Sequence, residues 1–260
     1  MAGRVRTEVA DGLGWIVFDH PERRNAITNE MWQAIPGAVR ELDANPEVRV
    51  VLLRGEGEQA FVSGADISEF ENLRTGQTSG DYDADNARAF AALSACRKPM
   101  IAMIHGFCVG GGCAIALSAD LRYCADDGVF GIPAARLGLG YMTGGLETLE
   151  RIVGISAAKE IFFTGRRFDA AEALRLGLVS EVVAKEDLDG HVRKVATLIA
   201  ANAPLTLRSA KLSFQEIAKP PAERDHAALR ASIDACYGSE DYAEGVRAFL
   251  EKRRPVFQGR

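Results

Sequence analysis

Apolar and polar positions change period several times along the chain. VRTEVADGLGWIVFDH, from Val5 to His20, reads as two strands joined at Asp11-Gly12, a dipeptide suited to a tight hairpin turn. ITNEMWQAIPGAVRELDAN then spaces its apolar residues three and four apart, which predicts a helix capped by Thr28 or Asn29. Pro36 inside that pattern predicts a kink or an early end, because proline has no N–H to donate. VRVVLLRG is almost wholly apolar, as expected of a strand buried on both faces. A long irregular segment, EGEQAFVSGADISEFENLRTGQTSG, follows it.

The middle of the chain repeats this rhythm. A helix is expected over 83–96, a strand at PMIAMIHG, a helix from Gly111 to Ala119, and strands at LRYCAD and GVFGIP. Strands separated by helices point to an α/β fold with largely parallel pairing. From Ser156 onward the pattern is mostly helical, with Gly165 and Gly177 where helix C-caps would fall. We therefore divide the chain into an α/β core, 1–195, and a helical C-terminal region, 196–260. A tail of this kind commonly packs on a neighbouring subunit, so an oligomer is expected.

Composition narrows the function classes. Lys and Arg total 31 against 36 Asp and Glu, a net charge of −5, which gives no electrostatic argument for nucleic acid or an anionic membrane. The five cysteines sit mostly among apolar residues and form no CxxC pair. Free thiols in a reducing compartment are the expectation, with no metal site. No apolar run approaches the about 18 residues of a membrane span, and the N-terminus lacks the apolar core of a signal peptide. A cytoplasmic location is expected.

Two glycine-bearing segments are the candidates for chemistry. FVSGADISEF runs from Phe61 to Phe70, and IHGFCVGGGCAIALSAD from Ile104 to Asp120. The second reads as strand, glycine turn and small-residue helix. Gly110, Gly111 and Gly112 let the backbone approach a ligand and leave helix-start N–H groups free for a phosphate or a developing oxyanion. Tight packing of helix on strand would use the same glycines. The segment has neither the G-K-[ST] ending of a nucleotide loop nor the G-x-G-x-x-G of a dinucleotide turn.

Taken in order, NAIT, FVSGADISEF, KPMIAMIHGFCVGGGCAIALSADLRYCADDGVFGIP, LGL, Gly144-Gly145, FTGRRFDAAEALRLGLVSEVV and SEDYAEGVRAFLEKRRPVF resemble the crotonase superfamily of enoyl-CoA hydratases and isomerases. The resemblance covers nearly the whole chain. It implies a spiral of ββα units with a helical C-terminal trimerisation region, assembled as a trimer or dimer of trimers. It also implies an acyl-CoA thioester as ligand, with coenzyme A entering as part of the substrate and no separate cofactor.

Carried over by position, the resemblance assigns an oxyanion hole to the backbone N–H groups of Ala65 and Gly111. Such a donor is worth about 2.7–4 kcal/mol to a thioester enolate, by analogy with known oxyanion holes. The resemblance also assigns contacts with coenzyme A to Arg24, Ala26, Ala65, Asp66, Ile67 and Gly110, and to Phe249 and Lys252 from an adjacent subunit. For Asp66, a loop or helix cap is an equally good reading.

The chain departs from the family where it matters most. Hydratases of the superfamily place one glutamate directly after GGGC and another after the FG.P element; here those positions are Ala114 and Ala134. Losing a positioned acid or base costs about 10²–10⁴-fold for each role. An apolar lining of Ala114, Ala134, Leu139 and Met142, with Tyr141 to orient a carboxylate or protonate product, favours a malonyl-type decarboxylase. The alternatives are a hydratase or isomerase with relocated acid/base groups, and a catalytically silent acyl-CoA binder. Tyr141 as a half-buried packing aromatic is the plainer reading of that residue. Glu147, Glu69 and Glu71 could reach inward, although capping or solvated roles suit them better. His105 suits a structural role; His20, His191 and His226 suggest nothing.

Overall fold

The computed structural model describes residues 3–70 and 79–260. Strands β1 (Arg4–Ala10) and β2 (Leu13–Asp19) form the expected hairpin. Asp11 and Gly12 both have positive φ, 54° and 77°, as a two-residue turn of this hand requires. Helix α1 (Asn29–Ala44) starts at Thr28, whose hydroxyl accepts the Met31 N–H. α1 does not end at Pro36 but continues through it to Ala44. It buries Met31, Trp32, Ile35, Ala38, Val39 and Leu42 on one face, and that burial outweighs the about 3 kcal/mol an internal proline costs.

From here the chain climbs in repeating steps. β3 (Val50–Gly55) enters a large sheet and β4 (Ala60–Val62) a small one. Helix α2 (Ser79–Ala95) follows, then β5 (Met100–Ile104) in the large sheet and β6 (Phe107–Val109) in the small. After α3 (Gly111–Ser118), β7 (Leu121–Ala125) and β8 (Val129–Gly131) divide in the same way. The result is a spiral of strand, strand and helix. Helices over Thr143–Val153 and Ile155–Thr164 lead to β9 (Phe168–Asp169), which closes the small sheet antiparallel to β8. β10 (Glu181–Val183) closes the large sheet, whose order is β1-β2-β3-β5-β7-β10. Beyond β1–β2, its neighbours pair parallel.

Both faces of the large sheet are buried, so alternate residues of one strand belong to two cores. Val51 and Leu53 point into the larger core with Ile16, Phe18, Met100 and Ile104. Val50 and Leu52 join Trp15, Val17, Ile101 and Met103 beneath the helix Leu188–Ala200. Three more helices, Pro204–Ile217, His226–Tyr237 and Glu240–Leu250, complete the C-terminal region. No helix of the described residues is long and apolar enough to cross a membrane.

One side chain ties the loop after β2 to the β3–β4 connection. Asn25 is buried, with φ 56°; its Oδ1 accepts the His20 N–H at 3.0 Å. Its Nδ2 donates to the carbonyls of Glu56 at 3.0 Å and Ala60 at 2.8 Å. Asn25→Ala strands three main-chain groups, at about 1–3 kcal/mol for each one buried. We expect a loss of about 3 kcal/mol or more, read as a lower urea midpoint at unchanged slope. A loss below about 1 kcal/mol would mean that the turn holds itself without this amide.

Candidate active site

Parallel pairing of β4 with β6 sets the site. Ala60 lies opposite Phe107 and Val62 opposite Cys108, so both strands end side by side, pointing the same way. Ser63-Gly64-Ala65 leaves one end and Gly110-Gly111 the other. Ligands of parallel α/β sheets characteristically bind just beyond such carboxyl ends.

Each loop aims an amide outward. Ile27 bridges Ala65 by donating to the Gly64 carbonyl and accepting from the Asp66 N–H, both at 2.8 Å. In a parallel bridge of this kind the two neighbours of Ala65 are engaged, and the Ala65 N–H points to the opposite side. Gly110, at φ 54° and ψ −114°, turns the chain into α3, and its carbonyl accepts the Ala114 N–H. The N–H of Gly111, the first residue of α3, therefore lies before the first intrahelical bond. A Cβ built on Gly111 would stand 3.8 Å from the Ala65 nitrogen, so the two loops bring these amides close together. Gly112 allows this approach: a Cβ there would lie 2.1 Å from the Val62 carbonyl oxygen.

The amides open into a cavity of about 410 Å³. Trp32 forms its wall beside Gly111; the ring lies 3.1 Å from where a Gly111 Cβ would be, and Nε1 donates to the Tyr82 hydroxyl at 3.1 Å. Phe90 meets the Trp32 ring edge-on at 5.3 Å. Across from α2, Tyr141 packs edge-on against Phe162 at 5.1 Å and its ring covers Gly145.

The expected site residues divide. Ala65, Gly111, Ala114, Tyr141 and Met142 all line this cavity. Ala134 does not: the short turn Pro133–Leu137 directs it into the core, where it is 5% exposed. Leu139 packs on the core rather than on the cavity wall. Gly110 lies behind the wall, donating to the Gly131 carbonyl at 2.8 Å. Arg24, at φ 52°, lays its guanidinium over the Phe107 ring at 4.8 Å, and Ala26 is buried with its carbonyl on His20 Nδ1. Ile67 is exposed.

Asp66 caps the turn Ile67–Glu69, its Oδ1 accepting the Ser68 N–H and hydroxyl. Burial pushes its carboxyl up, but those two bonds outweigh it and hold the group below its ordinary range. Phe249 and Lys252 lie in the C-terminal region; within one chain Phe249 lines a separate cavity between its helices.

The outlying candidates are accounted for structurally. Glu69 caps α1 by accepting the Asn29 N–H at 2.8 Å, and Glu147 is exposed on Thr143–Val153. Glu71 lies outside the described residues. His105 is buried, and burial lowers the pKa of its ring. His20 holds Ala26, His191 lies against Tyr123 and Glu181, and His226 is exposed at a helix start.

Two polar residues of the wall escape a reading of the sequence. Asp83 and Asn86 line the cavity from α2, on a stripe with Ala87, Phe90, Ala91 and Ser94. That spacing of three and four is visible in the sequence, but which side of the stripe meets a ligand is not.

A family model described as enoyl-CoA hydratase/isomerase matches residues 8–260. The chain belongs to that family, the crotonase superfamily. It is 33% identical over 250 residues to the crotonyl-CoA hydratase of Syntrophomonas wolfei, covering 96% of each chain. It is 32% identical to a peroxisomal Δ(3,5)-Δ(2,4)-dienoyl-CoA isomerase of Arabidopsis thaliana, covering 97% of this chain and 95% of that one. Its structure superposes on that of an enoyl-CoA hydratase/isomerase family protein from Hyphomonas neptunium with a TM-score of 0.94, at 39% identity and 98% coverage of both. This is a crotonase-superfamily enzyme of acyl-CoA metabolism, whose family needs no cofactor beyond the coenzyme A of its substrate.

Gly111→Ala tests whether the two neighbouring amides act together. The new methyl would keep the helix N–H but stand 3.8 Å from the Ala65 nitrogen and press on Trp32. We expect turnover to fall about 10²-fold or more with near-normal melting, the size seen when an oxyanion donor is lost. Unchanged turnover would mean that the reacting oxygen sits elsewhere.

Proposed function

We propose that the enzyme carries an enoyl-CoA thioester through an enolate, by hydration or double-bond isomerisation, with acid/base groups moved away from positions 114 and 134. The closeness of the Ala65 and Gly111 amides at the edge of one cavity supports this reading. When a nucleophile adds at the β-carbon, or a proton leaves the carbons next to the thioester, negative charge collects on the thioester oxygen. Two fixed donors in an apolar cavity stabilise that charge without reorganising. The hydratase and isomerase relatives support the same reaction class. Ala114 provides no carboxylate and Ala134 faces the core, so the proton must be handled elsewhere in the wall.

A second reading has its own observation. Ala114, Met142 and the Tyr141 ring make a stretch of wall without charge. A malonyl-type carboxylate set there would be poorly solvated, and its loss leaves the same enolate without a base to begin the reaction. A silent binder is the third possibility, and turnover separates it from both.

We further infer that 196–260 packs copies of the chain into a trimer or dimer of trimers, with Phe249 and Lys252 brought to a neighbour's coenzyme A. The exposure of Phe214, Ile217, Tyr237, Phe249 and Leu250 in a single chain supports that inference. Four of the five thiols are buried and all are free, in keeping with a cytoplasmic location.

A panel of crotonyl-, 2-octenoyl-, 3-enoyl-, malonyl- and methylmalonyl-CoA read by mass spectrometry decides among the readings. Water addition or double-bond migration on enoyl thioesters is the expected result. Loss of carbon dioxide from the malonyl thioesters, abolished by Tyr141→Phe, would favour the second reading. Tight binding of every thioester without product would leave only the binder.

A further inference from the structure

The cavity wall is nearly empty of titratable groups. Among its described residues Asp83 is the sole carboxylate, and there is no histidine, lysine or arginine. Asn86, one helical turn further along α2, lines the same cavity. Its Oδ1 is shielded from solvent and has no hydrogen-bond partner among the described residues. A buried acceptor left in that state costs about 1–3 kcal/mol, so it marks a place where a donor belongs. Residues three apart on a helix lie on one face, with Cβ atoms about 5–6 Å apart. With the Asn86 amide turned about its Cβ–Cγ bond so that Oδ1 meets the cavity, that separation suits a single water spanning two acceptors.

The same surface is tied to the amides. Tyr82, adjacent to Asp83, accepts the Trp32 Nε1–H through its hydroxyl, and the Trp32 ring lies over Gly111. The base of α2 and the start of α3 are therefore linked through one side chain.

We infer that Asp83 and Asn86 form the relocated water site of this enzyme, Asp83 acting as its general base and acid. The inference rests on the enoyl-CoA reading above. One hydrogen of the water is donated to the Asp83 carboxylate and the other to Asn86 Oδ1, which turns an oxygen lone pair toward the β-carbon. The new C–O bond forms as the double-bond electrons move toward the thioester oxygen, held by the Ala65 and Gly111 amides. The water proton passes to Asp83. As the enolate collapses, Asp83 returns that proton to the α-carbon, so the sum is water added across the double bond and Asp83 is regenerated. In this geometry Ala114 is a spacer that leaves room for the acyl chain.

The test uses the full-length enzyme with crotonyl-CoA and 2-octenoyl-CoA in H₂¹⁸O, and separately follows exchange of butyryl-CoA α-protons in D₂O. We expect ¹⁸O in the 3-hydroxyacyl product. Asp83→Asn should lower kcat by about 10²–10⁴-fold, leave KM within a few-fold, and remove α-proton exchange. Asn86→Leu, which keeps the bulk but removes the acceptor, should lower hydration about 10-fold or more while α-proton exchange persists. Both variants should melt near the wild type; if Asp83→Asn does not fold, Asn86→Leu and the intermediate Asp83→Glu decide, with wild-type hydration in both overturning the assignment. An active wild type whose Asp83→Asn variant hydrates at the same rate overturns the assignment and leaves the enoyl-CoA reading standing. Isomerisation or α-proton exchange without ¹⁸O uptake does the same. A wild type that neither exchanges nor converts any thioester overturns both.

Discussion

The start of α3 against the β4 backbone is the constraint on which the site depends. Two short parallel strands finish together, and a helix must begin at that junction without pushing them apart. Only a residue lacking a Cβ fits where Gly112 meets the Val62 carbonyl. Because the contact is main chain against main chain, no side-chain rotation can relieve an intrusion there. The direction of the Gly111 amide follows from that closeness, and the direction of the Ala65 amide follows from the bridge that Ile27 makes with its neighbours. The closeness of these two amides is thus a by-product of how two loops are tied down.

Around these amides the cavity is walled mainly by aromatic and small aliphatic groups, with Asp83 at one side. Such a lining excludes competing water and strengthens each hydrogen bond to a developing charge. It also separates stabilising the enolate from moving a proton. In a superfamily whose members change reaction while keeping one fold, these two tasks need not sit on the same loop. Here the amides remain at the strand ends, while Asp83 and Asn86 lie on a different helix.

Much of this was legible in the sequence. The almost wholly apolar VRVVLLRG marked a strand with two buried faces, and the glycine run after PMIAMIHG marked a close backbone approach, which Gly112 makes to Val62. The family resemblance then tied Ala65 to Gly111, a pairing that spacing alone does not reveal. What escaped has physical causes. Pro36 does not end its helix, because the burial of six apolar residues along α1 outweighs the local cost. Ala134 was placed at the cavity by position, but a short 3₁₀ turn rotates it into the core. Asp83 begins the helix expected over 83–96, but the spacing does not say which of its faces meets a cavity. Its neighbour Tyr82 is bonded to Trp32, about fifty residues earlier in the chain, a contact that no local pattern announces.

The double-sided burial of β3 has a cost in specificity. A strand with one wet face cannot slide by a single residue without exposing its apolar set, but β3 would exchange Val51 and Leu53 for Val50 and Leu52 with little penalty from polarity. Size must enforce alignment instead. A methyl on Gly14 would strike Val48 and Leu42, and one on Gly55 would fall within 2.1 Å of the Ala60 carbonyl oxygen. Those two missing side chains act as steric keys that admit one pairing frame, and every step of the spiral above them inherits that choice.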